Sequence, residues 1–575
     1  MSYKDIYNSW LFSSVLKEEE KEELKNMDND EEIKDSFYKS LSFGTGGIRG
    51  IVGLGTNRIN NYTIAKATEG LAKYLVNEFK EQSIAVAIAY DSRNGSLDFA
   101  KKASEVLCSN GIKVYIFSDI MCTPILSYAV RELKCKAGIV ITASHNSKEY
   151  NGYKVYNHSG NQITDEEAKN ISTYIDEVKD LSTIQYMNIG DAKRENFYKY
   201  VPIDLLNKYF YNVKTLTLRS NIIEKHADDL KILYTPLHGT GNVPVRRALC
   251  EVGYDKVFVV KDQEKPDGNF PTVKYPNPED KRAFDSALKQ AKSLKPDIII
   301  ATDPDCDRVG VMVRDYIGKY IALNGNELGI ILTNYILSSL KEKERIPANS
   351  VILKTIVTTD MVKNICEDYN VSVQEVLTGF KYIGEKIEEF NKTGQNKFIF
   401  GFEESYGYLF GDFVRDKDGI ISSVLICEMA LYYKSQNKNL VEVLKDLYDK
   451  YGYYKEKLVS MEFIGEEGKH KIENIMDYLR TYHYKNMFNE KILIKEDYKK
   501  GIKINIDKNK EYTIKLPKSN VLKFCLNNNT SFVVRPSGTE PKIKIYLSSV
   551  DDTGEGAHNK IRNLEENIVN IIKKF

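Results

Sequence analysis

None of the eight cysteines, Cys108, Cys122, Cys135, Cys250, Cys306, Cys366, Cys427 and Cys525, forms a C-x-x-C pair. Their isolation argues against a zinc cluster or a redox dithiol and fits reduced cytosolic thiols. No apolar run reaches the roughly 20 residues that cross a bilayer. The stretch from Met1 to Asp35 is rich in Glu, Asp and Lys and lacks the apolar core of a signal or transit peptide. Neither sign of charge prevails, with 82 Lys and Arg against 81 Asp and Glu; nucleic acid and membrane are therefore not expected as partners. A cytoplasmic protein follows. Nucleotide signatures are missing too: Gly379-Phe-Lys-Tyr-Ile-Gly384 approaches a P-loop but meets Glu385 where Lys is needed. ATP as phosphoryl donor has no support, and no coiled-coil heptad speaks to an oligomeric state.

At about 150 residues per domain, 575 residues should hold about four domains. Short apolar runs separated by helix-length amphipathic stretches support that division. The first set is Ile84–Tyr90, Ile112–Phe117 and Gly138–Thr142; the second is Leu230–Tyr234, Lys256–Val260 and Asp297–Ala301; the third is Val351–Thr355, Val371–Gln374 and Lys397–Phe400. After about Lys455 the pattern changes to alternating strands such as Gly501–Ile506 and Lys542–Leu547. The expected fold is α/β: three tandem α/β domains with mixed sheets (1–205, 206–322, 323–452) and a smaller α+β domain (453–575) around a central cleft. The most unusual polar cluster of each α/β unit follows its last strand, where ligands of open α/β sheets bind.

Thr302-Asp-Pro-Asp-Cys-Asp-Arg308 sets Asp303, Asp305 and Asp307 at alternate positions directly after an apolar strand, suited to one hard cation such as Mg²⁺. An EF-hand would need Gly next and Glu at its twelfth position, where this chain has Arg308 and Arg314. Thr142-Ala-Ser-His-Asn146 places Ser144 on a strand-to-loop turn beside His145. This serine can be a nucleophile, although local sequence alone favours an ordinary loop hydroxyl, with His145 a packed or capping histidine, and the loop lacks the glycines of a G-x-S-x-G elbow. Gly44-Thr-Gly-Gly-Ile-Arg-Gly50 offers open backbone amides, Thr45 and Arg49 to a phosphate, or else is a plain turn. Arg535-Pro-Ser-Gly-Thr-Glu-Pro541 combines a guanidinium with two hydroxyls, as a phosphate clamp or a rigid surface turn.

Together, Gly44–Gly50, Thr142–Asn146, Asp303–Arg308, Gly401-Phe-Glu-Glu-Ser-Tyr-Gly407 and Arg535–Pro541 resemble, in order, the motifs of the α-D-phosphohexomutase family, the phosphoglucomutase and phosphomannomutase enzymes. Tyr150–Lys154, Thr235–Gly241, Thr378–Gly384 and Arg415–Gly419 look most like the phosphoglucomutase and phosphopentomutase branch. The resemblance implies a phosphosugar mutase that interconverts hexose 1-phosphate and hexose 6-phosphate, glucose foremost, with mannose or pentose phosphates as alternatives. It implies a phosphoryl group on Ser144 and one Mg²⁺ shared by Ser144, Asp303, Asp305 and Asp307. His145, Arg49, Lys154, Arg308 and Lys417 then surround the transfer site, with the proton acceptor among them open. Thr378, Gly379, Glu403 and Ser405 face the sugar, and Arg535, Ser537, Gly538 and Thr539 hold the phosphate not being transferred. A hexose 1,6-bisphosphate is the implied intermediate and activator. The rivals are an aspartyl-nucleophile phosphatase or mutase built on the D-x-D of the Asp303 loop, and a silent sugar-phosphate sensor; both leave most of the five motifs or Ser144 idle.

Overall fold

A computed structural model of the protein describes residues 2–27, 29–80, 82–463, 465–482, 486–537 and 542–575. The apolar run Ala85–Tyr90 is buried at every residue but its first, as expected of a strand covered by helices on both faces. It lies inside a six-stranded sheet in the order Ile48–Ile51, Tyr150–Asn157, Ala137–Ile141, Ala85–Tyr90, Lys113–Ile116, Tyr198–Tyr200. Ala85–Tyr90 runs parallel to Ala137–Ile141 and to Lys113–Ile116, and the last pairing, to Tyr198–Tyr200, is parallel as well. The two strands at the other edge are antiparallel, so the sheet is mixed, and their register sets Arg49 opposite Gly152. Ile88, Val114, Ile139, Leu71 and Leu107 are among the residues that fill the core between this sheet and its helices. Three N-terminal helices, Tyr3–Leu11, Glu18–Lys25 and Asp30–Phe37, bury Trp10, Leu24 and Phe37 with Leu54 and Tyr62.

The second sheet has the order Tyr320–Leu323, Val309–Arg314, Ile298–Thr302, Ile232–Thr235, Val257–Val259. Its central strand Ile298–Thr302 is wholly buried and runs parallel to Ile232–Thr235 but antiparallel to Val309–Arg314. The loop joining Ile298–Thr302 to Val309–Arg314 carries the three aspartates. Strands Lys397–Glu403 and Gly407–Phe410 form a further antiparallel pair, with Glu403 opposite Gly407. The helix Gly419–Ser435 is buried at every residue from Gly419 to Leu431; being apolar on all sides, it can exist only inside a core. It packs on helices Asn242–Val252 and Ser220–His226 and on strand Gly407–Phe410.

The chain divides into two compact units, Met1–Leu353 with Gly379–Asn439, and Lys354–Thr378 with Leu440–Phe575. The second holds an antiparallel sheet in the order Tyr453–Glu462, Lys542–Asp551, Thr530–Pro536, Leu522–Leu526, Glu490–Asp497, Ile502–Asn505, Lys510–Thr513. In Lys542–Asp551 buried and half-buried residues alternate, the period-2 signature of a strand with one covered face. Phe524, Phe532 and Ile545 meet Ile475, Leu479 and Ile568 in its core. The segment Lys354–Thr378 is braced internally by a buried ion cluster and tied to the rest of this unit by hydrogen bonds. Lys354 is fully buried, with its ammonium 2.8 Å from Asp360 and 3.0 Å from Glu375, while Asn364 donates to the Tyr454 hydroxyl at 3.1 Å and the Tyr451 hydroxyl donates to Asp368 at 2.6 Å.

Candidate active site

Strand Ala137–Ile141 ends at Thr142, and the chain turns at once. The Thr142 hydroxyl accepts from the Ser144 amide at 2.8 Å and donates to Asp91 at 2.6 Å. Ser144 has φ +51°, a left-handed conformation that costs an L-residue with a Cβ about 1–3 kcal/mol and persists where surrounding contacts impose it. The imposing group is Arg93, a residue that sequence reasoning passed over. Its Nη1 donates to the carbonyls of Ser147 (2.7 Å) and Tyr150 (2.9 Å), and its Nη2 to those of Ser144 (2.6 Å) and Asn146. Asp91 lies 3.3 Å from Arg93 Nε and also accepts from the Ser96 hydroxyl. The Phe270 ring lies 4.9 Å from the guanidinium, so the cation is wrapped on every side by carbonyls, a carboxylate and a π face.

The turn delivers the Ser144 hydroxyl to the second sheet, where it donates to Asp303 Oδ2 at 2.6 Å. Its Oγ lies 3.3 Å from His145 Nδ1. Asp303, Asp305 and Asp307 are all buried, and one oxygen of each lies within 4.8 Å of the others. Burial, followed by the charges of Asp305 and Asp307, pushes Asp303 well above the usual carboxylate range. Asp305 is held well below it: burial opposes this, but Lys154 donates to Asp305 Oδ2 at 2.7 Å. The Oδ1 atoms of Asp305 and Asp307 are buried and meet no hydrogen-bond donor among the described residues. Unmet carboxylate oxygens converging on one point are the donor set of a hard divalent cation, so these residues fit Mg²⁺.

Cations ring the cluster. Lys154 is also 3.5 Å from Asp307, and Lys417 Nζ lies 3.2 Å from both Asp307 and Asp416. Burial alone would lower both lysines, but these carboxylates hold each above its ordinary value and therefore charged. Arg308 donates through its amide to Asp303 Oδ1 at 3.1 Å, and its guanidinium pairs with Glu279. Arg49 donates to the Asn146 side chain at 2.8 Å. Burial, then the charges of Arg308 and Arg49, hold the His145 imidazole well below its ordinary value, leaving it neutral. Glu403 accepts from the Gly379 amide at 3.0 Å. Burial pushes its carboxyl up to about 7 against the pull of Lys417.

The compact unit Met1–Leu353 with Gly379–Asn439 thus gathers Ser144, His145, Arg49, Lys154, the three aspartates, Arg308, Gly379, Glu403 and Lys417. Ser405 sits in the turn between strands Lys397–Glu403 and Gly407–Phe410. In the glycine loop, the amides of Gly44 and Gly47 bond each other's carbonyls, which leaves the Thr45 and Gly46 amides as the loop's candidates for a ligand. Gly47 has φ +74°, and a Cβ there would stand 1.8 Å from the Tyr153 carbonyl oxygen, so only glycine fits. Thr45 lines a cavity of about 550 Å³ with Asp165 and Asp176. In the second unit, the Arg535 guanidinium bonds the Thr378 hydroxyl, and its Nε is buried with no partner among the described residues. Ser537 donates its amide to Lys542 O at 2.8 Å; Gly538 and Thr539 lie outside the described residues.

Besides Arg93 and Asp91, sequence reasoning missed Glu279 and Asp416. Asp416 accepts from the Tyr156 hydroxyl (2.7 Å) and from Gln162 (2.8 Å) and so fixes the loop that carries Lys417. The available signals were Asp91-Ser-Arg93 directly after a buried strand and Asn277-Pro-Glu279.

Family models described as phosphoglucomutase/phosphomannomutase alpha/beta/alpha domains I, II and III match residues 40–182, 207–318 and 324–451. A phosphoglucomutase of Staphylococcus epidermidis is 38% identical over 541 residues, covering 94% of this chain and 96% of its own. One from Staphylococcus haemolyticus is 39% identical over 539 residues, covering 92% and 93%. The open form of the Paramecium phosphoglucomutase pp63/parafusin superposes with a TM-score of 0.67 at 16% identity, covering 93% of this chain and 96% of its own, a likeness of fold. Successive domain matches and relatives aligned over nearly their full length converge: the chain belongs to the phosphoglucomutase/phosphomannomutase family and is a phosphotransferase of the mutase type.

Proposed function

We propose that the enzyme interconverts hexose 1-phosphate and hexose 6-phosphate, with glucose as the hexose, through a phosphoryl group carried on Ser144 and a hexose 1,6-bisphosphate intermediate. The observation that carries this reading is the Ser144 hydroxyl, 2.6 Å from Asp303 in a buried three-carboxylate cluster. The names of the relatives support the choice of glucose. A phosphoserine bears close to two negative charges near neutral pH. Held by Asp303, Asp305, Asp307 and an oxygen on Ser144, Mg²⁺ would supply charge compensation on the moving phosphoryl group.

The protein's own groups do the rest in this reading. Lys154, Lys417 and Arg308 remain charged and offset the phosphoryl oxygens, as suits a transfer governed by positioning and electrostatics. His145 is neutral and 3.3 Å from Oγ, which makes its free ring nitrogen a proton acceptor at the serine. Glu403 and Ser405, with Thr378 and Gly379, would hold the sugar hydroxyls. Thr45 and Arg49, and the loop of Arg535, Ser537, Gly538 and Thr539, would hold phosphate. The division at 1–205, 206–322, 323–452 and 453–575 belongs to the same reading: four domains enclosing a bisphosphate that must exchange its ends without escape or hydrolysis.

Intact-mass measurement tests it. The resting enzyme should carry one phosphoryl group, which peptide mapping should place on Ser144. Dephosphorylated enzyme should regain activity with a trace of hexose 1,6-bisphosphate and without ATP, and Ser144→Ala should be inactive while still binding substrate. A phosphoryl group mapped to Asp303, or turnover by Ser144→Ala, would overturn the reading.

A further inference from the structure

A cavity of about 540 Å³ opens where the end of helix Thr123–Glu132, the turn at His158 and Ser159, Glu388 and Phe413 meet, and it collects more positive charge than the fold neutralises. Arg131, Lys134 and Lys136 line it, and none of them has a carboxylate within 4 Å among the described residues. Two acids line the cavity as well, Glu132 and Glu388, but each has a cation of its own: Glu132 pairs with Lys208 at 2.6 Å and Glu388 with Lys392 at 3.5 Å, while Asp412 lies 3.9 Å from Lys397.

The arginines are built in, unlike mobile surface lysines. Arg131 Nη1 is pinned to the carbonyls of Asp412 and Phe413, each at 2.9 Å, and its Nη2 donates to nothing among the described residues. Arg415 stands behind it, 1% exposed, with its own Nη1 on the same Asp412 carbonyl oxygen. Two guanidiniums therefore converge on one oxygen. The Arg415 Nε is buried and unpartnered among the described residues, and the one carboxylate within 4 Å of its guanidinium among them, Glu388, is 3.5 Å away. Burial and the charge of Arg131 pull Arg415 down to about 10, the mark of a cation short of counter-charge. The partial negative end of helix Thr123–Glu132, about half a charge, does not balance these groups.

We infer that this cavity is a second anion site, an effector site for a small phosphate ester. A planar guanidinium beside two ammonium groups supplies donors for phosphate oxygens, and a volume of about 540 Å³ has room for a phosphorylated metabolite. The connection to the catalytic loop is short. Arg415 is two residues from Lys417, its amide donates to the Ser127 hydroxyl at 3.0 Å, and Asp416 between them is held by Tyr156 and Gln162. An anion that draws Arg131 off the Asp412 carbonyl, which Arg415 shares, shifts the strap that presents Lys417. This effect on rate rests on the proposed role of Lys417, whereas the binding does not.

Tungstate, a strongly scattering phosphate mimic, separates the two. Crystals of the full chain soaked in tungstate should show a tungsten peak bounded by Arg131, Lys134 and Lys136, and the concentration needed to fill it should rise about tenfold in K134E/K136E. At saturating substrate, which displaces the probe from the active site, tungstate should change wild-type kcat about fivefold and leave that of K134E/K136E unchanged. No peak in the cavity, or a peak undiminished in K134E/K136E, overturns the site. A filled cavity with wild-type kcat unaltered overturns the effector role and leaves the Ser144 relay standing.

Discussion

Replacing Arg93 by Met removes a buried side chain that positions Ser144 and, with Ser144 in its proposed role, should slow the reaction. The guanidinium holds four carbonyl oxygens of the segment from Ser144 to Tyr150, and that hold keeps Ser144 at φ +51°. Released, Ser144 should fall toward the right-handed region by the roughly 1–3 kcal/mol that the left-handed one costs. Restoring the reactive geometry on every turnover then adds the same amount to the barrier, a loss of about 5- to 150-fold in kcat. KM, which reads the sugar and phosphate contacts, should stay near the wild-type value. Arg93→Met also strands Asp91 as a buried carboxylate, at about 3–5 kcal/mol of stability. The assay is therefore run at low temperature, with the folded fraction fixed by near-ultraviolet circular dichroism. Arg93→Lys retains the charge but not the four-pronged geometry and should recover only part of kcat. A folded Arg93→Met with wild-type kcat would refute the claim that this residue sets the serine.

Chelation should abolish transfer and leave the fold intact by circular dichroism, because Lys154, Lys417 and the Arg308 amide already compensate the three carboxylates; Asp305→Asn should raise the metal concentration needed for half activity. Arg535→Ala should raise KM for both monophosphates about ten- to hundredfold, the loss of about 1.5–3 kcal/mol expected for a charge-assisted contact, and an unchanged KM in both directions would remove that loop from the site. Glu403 has its carboxyl pushed up to about 7, so it is protonated below that pH and ionised above it. Its capacity to accept from sugar hydroxyls grows as pH rises through 7, KM should fall over the same window, and Glu403→Gln should flatten that dependence in steady-state assays.

The strands were legible because each is a short apolar run bounded by polar turns: Ile298–Thr302 is buried end to end and stands out as Asp297-Ile-Ile-Ile-Ala301. The aspartates were legible for the same reason, being charges set hard against such a run. The groups that position Ser144 and the basic side chains were not. Arg93 reads as one polar residue in a turn, and the carbonyls it holds lie 51 to 57 residues away; Glu279 meets Arg308 across 29 residues. Backbone carbonyls carry no sequence signature, so the four that Arg93 holds left only Asp91-Ser-Arg93 after a buried strand to point to it. The tie of Lys354–Thr378 to the C-terminal unit was equally hidden, since it rests on the long-range hydrogen bonds of Asn364 with Tyr454 and of Asp368 with Tyr451 in a stretch that otherwise reads as part of the preceding domain.

Asp418 accepts from the Ile420 and Ile421 amides, 2.8 Å each, and from the Tyr209 hydroxyl at 2.7 Å, and so caps the buried helix Gly419–Ser435 one residue after Lys417. Because that helix is enclosed along its first 13 residues, Lys417 cannot be placed independently of it: the loop that carries Lys417 is the outer end of a rod embedded in the protein. Cys427 lies eight residues along that rod, about 12 Å at 1.5 Å per residue, and is fully buried. A methylene too many there would push the rod outward, and a displacement of about 1 Å at a reacting group is enough to cost on the order of a hundredfold in rate. A survey that scores natural variants of this enzyme by their distance from the sugar would file such a residue as silent, when it sets the reach of the lysine.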